Sequence, residues 1–293
     1  MTTTKCGTVA IAGRPNVGKS SLLNALIGQP LAMVSSKAQA TRLPTGGLRT
    51  DGATQVVFQD LPGLLEPAYL LHERMLAAAT EVLEAADVIL HLHPAPEAPA
   101  PPFREVSGAA IRPRVPIVLC YTKVDLLEPA RRASLGAEAQ AVSAVTGEGI
   151  DRLVATLEGL LPEGPWRFPP DDIGVQPVRF FVTEYLREAA FELLSDELPY
   201  AFTATVEEFR EDAVPVYIRA ELFVERESQK KILIGAGGRT IKALGRHARL
   251  RLEGLLGCRV YLETRVKVLP RWRQSPELLS RFGFHHRPAG ERR

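Results

Sequence analysis

Gly13-Arg14-Pro15-Asn16-Val17-Gly18-Lys19-Ser20 fits the spacing G-x-x-x-x-G-K-[ST], between the apolar run Val9-Ala10-Ile11-Ala12 and the helix-like Ser21-Leu22-Leu23-Asn24-Ala25-Leu26. That order is strand, phosphate loop, helix. Glycines let the backbone curl so that its N–H groups point at phosphate oxygens, Lys19 reaches the β and γ oxygens, and the Ser20 hydroxyl is placed to ligate magnesium. The positive end of the following helix adds to the same field. Gly13, Arg14, Pro15, Asn16, Val17, Gly18, Lys19, Ser20 and Ser21 are therefore candidate nucleotide contacts.

Three further loops follow strand-like runs and carry the residue types that a nucleotide needs. Gln55-Val56-Val57-Phe58-Gln59 ends at Asp60-Leu61-Pro62-Gly63. A carboxylate there can hold magnesium through water, and the Gly63 N–H can sense a γ-phosphate. Asp-x-Pro-Gly is also a common turn, so its weight comes from its distance after the phosphate loop. Pro116-Ile117-Val118-Leu119-Cys120-Tyr121 ends at Thr122-Lys123-Val124-Asp125. A fixed Asp125 carboxylate accepts from N1 and N2 of guanine, which adenine cannot donate. Finally, Ser143-Ala144 precedes Thr146-Gly147-Glu148-Gly149, which places the Ala144 N–H to meet the guanine carbonyl. The polar, aperiodic Val34–Arg42 stretch is a candidate switch loop.

These loops must be positioned by strands that alternate with helices. The spacing predicts helices over about 70–86 and 150–161 and a strand over 87–92. Alternation with short connections implies a doubly wound, mostly parallel sheet with its ligand at the carboxyl ends of the strands. His91 and His93 lack a partner cluster with ligand spacing and are expected to pack rather than bind. Pro94–Pro102 is expected to be a loop.

From Leu161 to Asp172, four prolines among twelve residues end the last helix and predict a semi-rigid connector. The expected division is a nucleotide domain over 1–163, a linker over 164–177, a second domain over 178–285 and a tail over 286–293. The second domain has a different grammar. A helix is expected over 178–194, then strands over 201–209 and 214–224, a short basic helix over 228–234, Gly235-Ala236-Gly237-Gly238, a longer helix and a strand over 258–268. A G-x-x-G turn between helices lets backbone N–H groups approach about four single-stranded nucleotides. The segment Ser228–Leu252 holds Lys230, Lys231, Arg239, Lys242, Arg246, Arg249 and Arg251 and no acidic residue, which is the charge a phosphate backbone attracts. Trp272 and Phe282 are expected to cover the edge of this domain.

The chain has 293 residues, 45% of them hydrophobic and 24% charged, with a formal net charge of +2. Those values suit globular domains and exclude a fibrous or disordered class. Cys6, Cys120 and Cys258 are few, odd in number and far apart, which argues against a disulfide framework and predicts a reducing, cytoplasmic compartment. The amino-terminal residues lack the apolar core of a secretory signal, and no run is long enough to span a bilayer.

The set resembles a translation-factor-class GTPase. The wording Gly-Arg-Pro-Asn-Val-Gly-Lys-Ser, Lys-Ala-Gln-x-Thr-Arg and Asp-x-Pro-Gly-Leu is similar to that of the Era family. The element order of the second half and Ile232-Leu233-Ile234-Gly235-Ala236-Gly237-Gly238-Arg239-Thr240-Ile241-Lys242 resemble a type II KH domain. The resemblance spans about residues 6–285. It implies an α/β P-loop GTPase domain followed by an α+β type II KH domain, with nucleotide contacts at Asp60, Leu61, Pro62, Gly63, Leu64, Thr122, Lys123, Val124, Asp125, Ser143 and Ala144 besides the phosphate loop. Metal ligands would be Ser20, Thr41 and Asp60, with Thr41 as the switch threonine; Lys19, Thr41, Gly63 and Asn16 would carry catalysis. RNA would contact Lys230, Lys231, Ile234, Gly235, Ala236, Gly237, Gly238, Arg239 and Lys242.

Leu64 stands where many relatives carry a glutamine that orients the attacking water. Relatives with an apolar residue there use potassium, whose ligand would be Asn16. The sequence departs from the family at Thr122, usually Asn, at Ala40, usually Thr, and at Ala236-Gly237, where a lysine is often found. The implied function is a GTP-switched factor that uses Mg2+ and GTP or GDP, grips the 3′ end of 16S ribosomal RNA and acts in 30S assembly. It would work as a monomer in the cytoplasm, with some of it at the inner face of the membrane. The rival readings are a GTPase that presents RNA to a modifying enzyme, and an RNA-binding scaffold with structural nucleotide.

Overall fold

The computed structural model describes residues 3–64, 66–108, 114–132, 135 and 139–285; the expected tail over 286–293 lies outside the described residues. The chain divides into two compact units, one of Met1–Pro67 and Met75–Val175, the other of Ala68–Arg74 and Gln176–Arg293.

The first unit runs β1 (Lys5–Ala12), α1 (Lys19–Ile27), β2 (Thr45–Asp51), β3 (Thr54–Asp60), α2 (Leu70–Ala85, its first turns falling in the other unit's share), β4 (Val88–Pro94), α3 (Phe103–Ser107), β5 (Ile117–Thr122), α4 (Pro129–Arg132), β6 (Gln140–Ala141) and α5 (Ile150–Leu160). The six strands lie in the order β2-β3-β1-β4-β5-β6. Only the β2–β3 pair is antiparallel; the remaining pairs are parallel. Apolar side chains leave both faces of the central strands, as a sheet covered twice requires. Val9, Ile11, Val56, Phe58, Leu90 and Cys120 meet Leu22 and Leu26 of α1 and Leu153 and Leu157 of α5 on one face. On the other, Ala10, Ala12 and Ile89 meet Ala79 and Leu83 of α2 and Phe103 of α3. The carboxyl ends of β1, β3, β5 and β6 open into the four loops singled out above.

Pro94–Pro102 is more ordered than the expected loop: Pro94 ends β4, and Ala95–Glu97 form one 3-10 turn. Pro96 sits at the start of that turn, where a missing N–H costs nothing.

The proline-rich stretch is pinned to the first unit. Gln55, fully buried, accepts from the N–H groups of Arg167 and Phe168 at 2.9 and 3.1 Å and donates to the Phe168 carbonyl at 2.9 Å. Leu48 N–H donates to Ile173 at 3.0 Å, Val175 N–H to Gly46 at 3.3 Å, and Gly47 and Gly174 form an antiparallel bridge. β2 is an edge strand, and residues 173–175 pair with its outer backbone donors and acceptors. Gly46 permits this approach, because a Cβ there would overlap the Val175 side chain.

The second unit follows as α6 (Val178–Leu193), α7 (Leu198–Ala201), β7 (Thr203–Arg210), β8 (Val216–Val224), α8 (Glu227–Ile234), α9 (Arg239–Leu256), β9 (Val260–Val268) and α10 (Pro276–Arg281). Its sheet has the order β7-β8-β9, with β7 antiparallel and β9 parallel to β8. Leu244, Ala248 and Leu252 repeat at four-residue spacing and are the buried stripe of α9. Trp272 is fully buried, donates its indole N–H to Ala201 at 2.8 Å and meets Phe282 edge-on, so both aromatics close this unit as expected.

Candidate nucleotide site and nucleic-acid interface

A cavity of about 510 Å³ opens over the phosphate loop in the first unit. Pro15, Asn16, Gly18, Lys19, Ser20 and Ser21 form its floor, Met33–Lys37 and Gln39–Thr41 one wall, and Gly63 and Lys123 its remaining edges. Lys19 sits in the first turn of α1, and its ammonium donates to the Gly13 and Arg14 carbonyls at 3.2 and 2.9 Å. Burial lowers its pKa to about 8, against the opposing pull of Asp60. A buried ammonium on the floor of this cavity is a charge that an anion entering it can meet.

Ser20, Thr41 and Asp60 come from a helix, a loop and a strand end, yet their oxygens converge. The Ser20 hydroxyl donates to the Asp60 carboxylate at 2.6 Å, Thr41 donates to the same oxygen at 3.3 Å, and the two hydroxyls lie 3.1 Å apart. Three hard oxygen donors beside a phosphate cradle fit magnesium by ligand type. The loop that carries Thr41 is anchored at its start by Asn24. That side chain donates to the Ala32 carbonyl at 2.9 Å and accepts from its N–H at 2.7 Å. No motif marks this clamp; its signal in the sequence is an asparagine within an apolar helical run.

Asn16 is exposed, donates to the Ser36 carbonyl at 3.2 Å, and its own carbonyl accepts from Lys123 at 2.9 Å. Gly63 approaches so closely that a Cβ would strike the Pro15 ring at 2.7 Å. Leu61 and Leu64 are placed differently from simple contact residues. Both side chains are packed in the apolar cluster with Ala10, Ala12 and Leu83, and the Leu64 N–H is bonded to Gly13. The position that a water-orienting glutamine would occupy thus faces the core.

Thr122 is buried, and its hydroxyl donates to the Val17 carbonyl of the phosphate loop at 2.6 Å. Val124 lies in the short turn with Asp125, both partly or fully enclosed, while Ser143 is buried and Ala144 half-exposed. The Ser143 hydroxyl accepts from the N–H groups of Val145 and Thr146, which holds that loop bent. Pro62 is buried beside Gly63, and Arg14 points outward. His91 and His93 are both buried. His91 packs edge-on against Phe103 with its pKa lowered to about 4 by burial and then by His93, and His93 bonds the Glu97 carbonyl at 3.0 Å. Neither lines the cavity.

In the second unit, α8 and α9 are joined by Gly235-Ala236-Gly237-Gly238. A Cβ at Gly235, whose φ is 72°, would overlap the Thr240 hydroxyl, so the turn requires glycine there. Lys231, Ala236, Gly237, Arg239 and Lys242 are exposed, and Lys230, Ile234 and Gly238 half-buried. Arg239 donates back to the Ala236 carbonyl at 3.3 Å. Ile232, at 59% exposure, adds an apolar surface beside the turn. Arg246 and Arg249 continue the exposed basic face of α9. Arg251 does not, because it pairs with Glu188 at 2.7 Å over the Tyr185 ring.

A family model described as 50S ribosome-binding GTPase matches residues 8–123, and one described as KH domain matches 197–273. The chain is 37% identical over 291 residues to the GTPase Era of Carboxydothermus hydrogenoformans, covering 96% of this chain and 98% of the relative. With the GTPase Era of Geotalea daltonii it shares 39% identity over 288 residues, 95% of this chain and 97% of the relative. It is also similar to a crystal structure of Era in complex with MgGDPNP and nucleotides 1506–1542 of 16S ribosomal RNA, at 36% identity and a TM-score of 0.87, covering 96% of this chain and 99% of that one.

Proposed function

The chain belongs to the Era family of GTPases, and from that premise we propose that it is a magnesium-dependent switch that binds the 3′ region of 16S ribosomal RNA while it holds GTP, and acts in 30S assembly. The observation that carries this reading is the meeting of Ser20, Thr41 and Asp60 within 2.6–3.3 Å over the phosphate cradle. Thr41 belongs to a loop, so its place there couples that loop to whatever the other two residues bind. The RNA part rests on the Gly235–Gly238 turn, whose Ala236 and Gly237 are exposed, and on the likeness to an Era solved with MgGDPNP and 16S RNA.

In this mechanism the phosphate loop N–H groups and Lys19 hold the β- and γ-phosphates, and Asp125 and the Ala144 N–H select guanine. Ser20, Thr41 and Asp60 would hold magnesium, which would neutralise charge on the phosphates. Gly63 offers its N–H to the γ-phosphate. With Leu64 turned into the core, no side chain at that position orients water, and potassium at Asn16 is the proposed substitute; equal turnover in sodium and potassium buffers would count against it. Loss of the γ-phosphate releases Thr41 and Gly63, an order-to-disorder switch.

The route outward is chemical continuity. Thr41 is four residues before β2, β2 bonds residues 173–175, and Pro177 caps α6. The protein works as a cytoplasmic monomer with a peripheral fraction at the inner membrane; no helix among the described residues is long and apolar enough to cross one.

The test is binding of a labelled oligonucleotide matching the 3′ end of 16S RNA, against a scrambled control, with GTP analogue, GDP or no nucleotide. Selective binding that appears with the analogue supports the reading; equal binding of both oligonucleotides in every state overturns it. The variant Ala236→Asp serves as the site control. Ala236 is exposed and has no left-handed backbone requirement, so the added carboxylate should lower binding with the fold kept.

A further inference from the structure

The two loops proposed to recognise guanine meet at their bases through backbone bonds. Val142 N–H donates to Tyr121 at 2.8 Å and Val124 N–H to Val142 at 3.3 Å. From there one loop carries Asp125 in a 3-10 turn, Val124–Leu126, capped by Leu127, and the other bends through Ser143 to Glu148. Arg132, the last residue of α4, reaches both. Its Nε donates to the Leu127 carbonyl at 3.1 Å, and its Nη1 donates to both carboxylate oxygens of Glu148 at 3.0 and 2.9 Å. Glu148 is itself fixed to the second loop, because Ser143 N–H donates to its carbonyl at 3.0 Å and its own N–H donates to the Thr146 hydroxyl at 3.4 Å. The ion pair therefore links two turns that are each closed by hydrogen bonds of their own.

We infer that Arg132 is a positioning residue for guanine recognition: it clasps the Asp125 loop to the Ala144 loop at their outer rim, with Glu148 as its catch. This rests on the nucleotide reading above. Neither Arg132 nor Glu148 lines the cavity over the phosphate loop. Its effect is to hold the Asp125 carboxylate and the Ala144 N–H at one fixed separation, so that both meet the same base without a search over loop geometries. Fixing recognition groups in advance lowers the ordering cost of binding. Arg132 is also apt for the task by chemistry, since a guanidinium offers several donors in one plane and can serve a carbonyl and a carboxylate together, which an ammonium on a flexible stem does less well.

The consequence is specific to the base. An exposed ion pair is worth up to about 1 kcal/mol, a factor of about five in an equilibrium constant, so Arg132→Ala and Glu148→Ala should each speed release of a fluorescent GDP about two- to fivefold. The cost should fall in KM with kcat held, because the γ-phosphate contacts lie in other loops. The preference for GTP over inosine triphosphate, which lacks the N2 amine that Asp125 accepts, should narrow in both variants. The double variant should be no worse than either single one.

The experiment is stopped-flow release of GDP and steady-state turnover of GTP and inosine triphosphate by the full chain, with melting temperature alongside. Faster release, a narrowed base preference and non-additive singles support the clasp. Unchanged release rates, additive effects, or equal losses for both triphosphates that track a fall in melting temperature would overturn it. If the unmodified chain binds ADP as well as GDP, the guanine reading fails instead, and the two failures are told apart.

Discussion

Lys19 ties the electrostatics of the site to pH. Its pKa of about 8 means that it is mostly charged at neutral pH but loses its proton just above it. A bound phosphate favours the charged form and raises that pKa, so binding above pH 8 must take up a proton. The expected outcome is a GDP affinity that is flat below pH 8 and weakens by up to about tenfold per unit above it. Calorimetry in buffers of different ionisation enthalpy should count proton uptake at pH 8.5 and none at 6.5; zero uptake at both would remove Lys19 from phosphate contact. Folding has its own sign. The unfolded chain holds the proton up to 10.5, more tightly than the folded one, so the nucleotide-free protein gains stability from this group as pH rises from about 8 towards 10.5.

Thr122 makes a second prediction at the same scale: its hydroxyl serves the phosphate loop through Val17 rather than the base. Thr122→Val keeps the shape and removes that bond, at a cost of about 1 kcal/mol, so GTP and GDP should both bind about fivefold more weakly with the preference over ATP intact. The motif spacing made Thr122, Lys19 and Asp125 legible. It could not give the direction of a hydroxyl whose partner lies at the far end of another loop.

At the scale of elements, periodicity located the strands and helices that carry the site, because each has one dominant period and ends at a glycine, proline or acidic turn. Short pieces escaped it. α3, α4 and α7 span five residues or fewer, too few for a helical period to repeat, and α4 carries Arg132. The proline-rich stretch was legible as a helix stop but not as the partner of β2. Its hydrogen bonds are made by backbone atoms, which no side-chain pattern records, and Gly46 gives only the hint of a missing side chain. In the second unit, Trp272→Phe would leave the Ala201 carbonyl short of its donor and a gap beside Phe282. The loss should be about 2 kcal/mol, read as a lower unfolding midpoint for this unit in denaturant, with GTP turnover by the other unit unchanged. A midpoint equal to that of the unmodified chain would mean that Trp272 is a cover and not a fastener.

For the whole molecule, the question is whether nucleotide and RNA feel each other. Residues 173–175 are bonded along β2, which begins four residues after Thr41, so the switch loop leads directly into the strand that holds the linker. Gly46→Ala tests this without touching either ligand's contacts. The added methyl would overlap Val175 and close on the Gln59 side chain, pushing residues 173–175 off the edge while the cavity and the Gly235–Gly238 turn keep their residues. Coupling between sites is reciprocal: if GTP tightens RNA binding by some factor, RNA tightens GTP binding by the same one, typically about 5- to 150-fold. In the unmodified chain the two factors should agree. In Gly46→Ala both should fall towards one together, with RNA affinity in GDP and GTP affinity without RNA each close to their original values. A variant that keeps the full factor would place the coupling elsewhere than the β2 edge. An unmodified chain with a factor of one would leave a nucleotide hydrolase and an RNA clamp that merely share a chain.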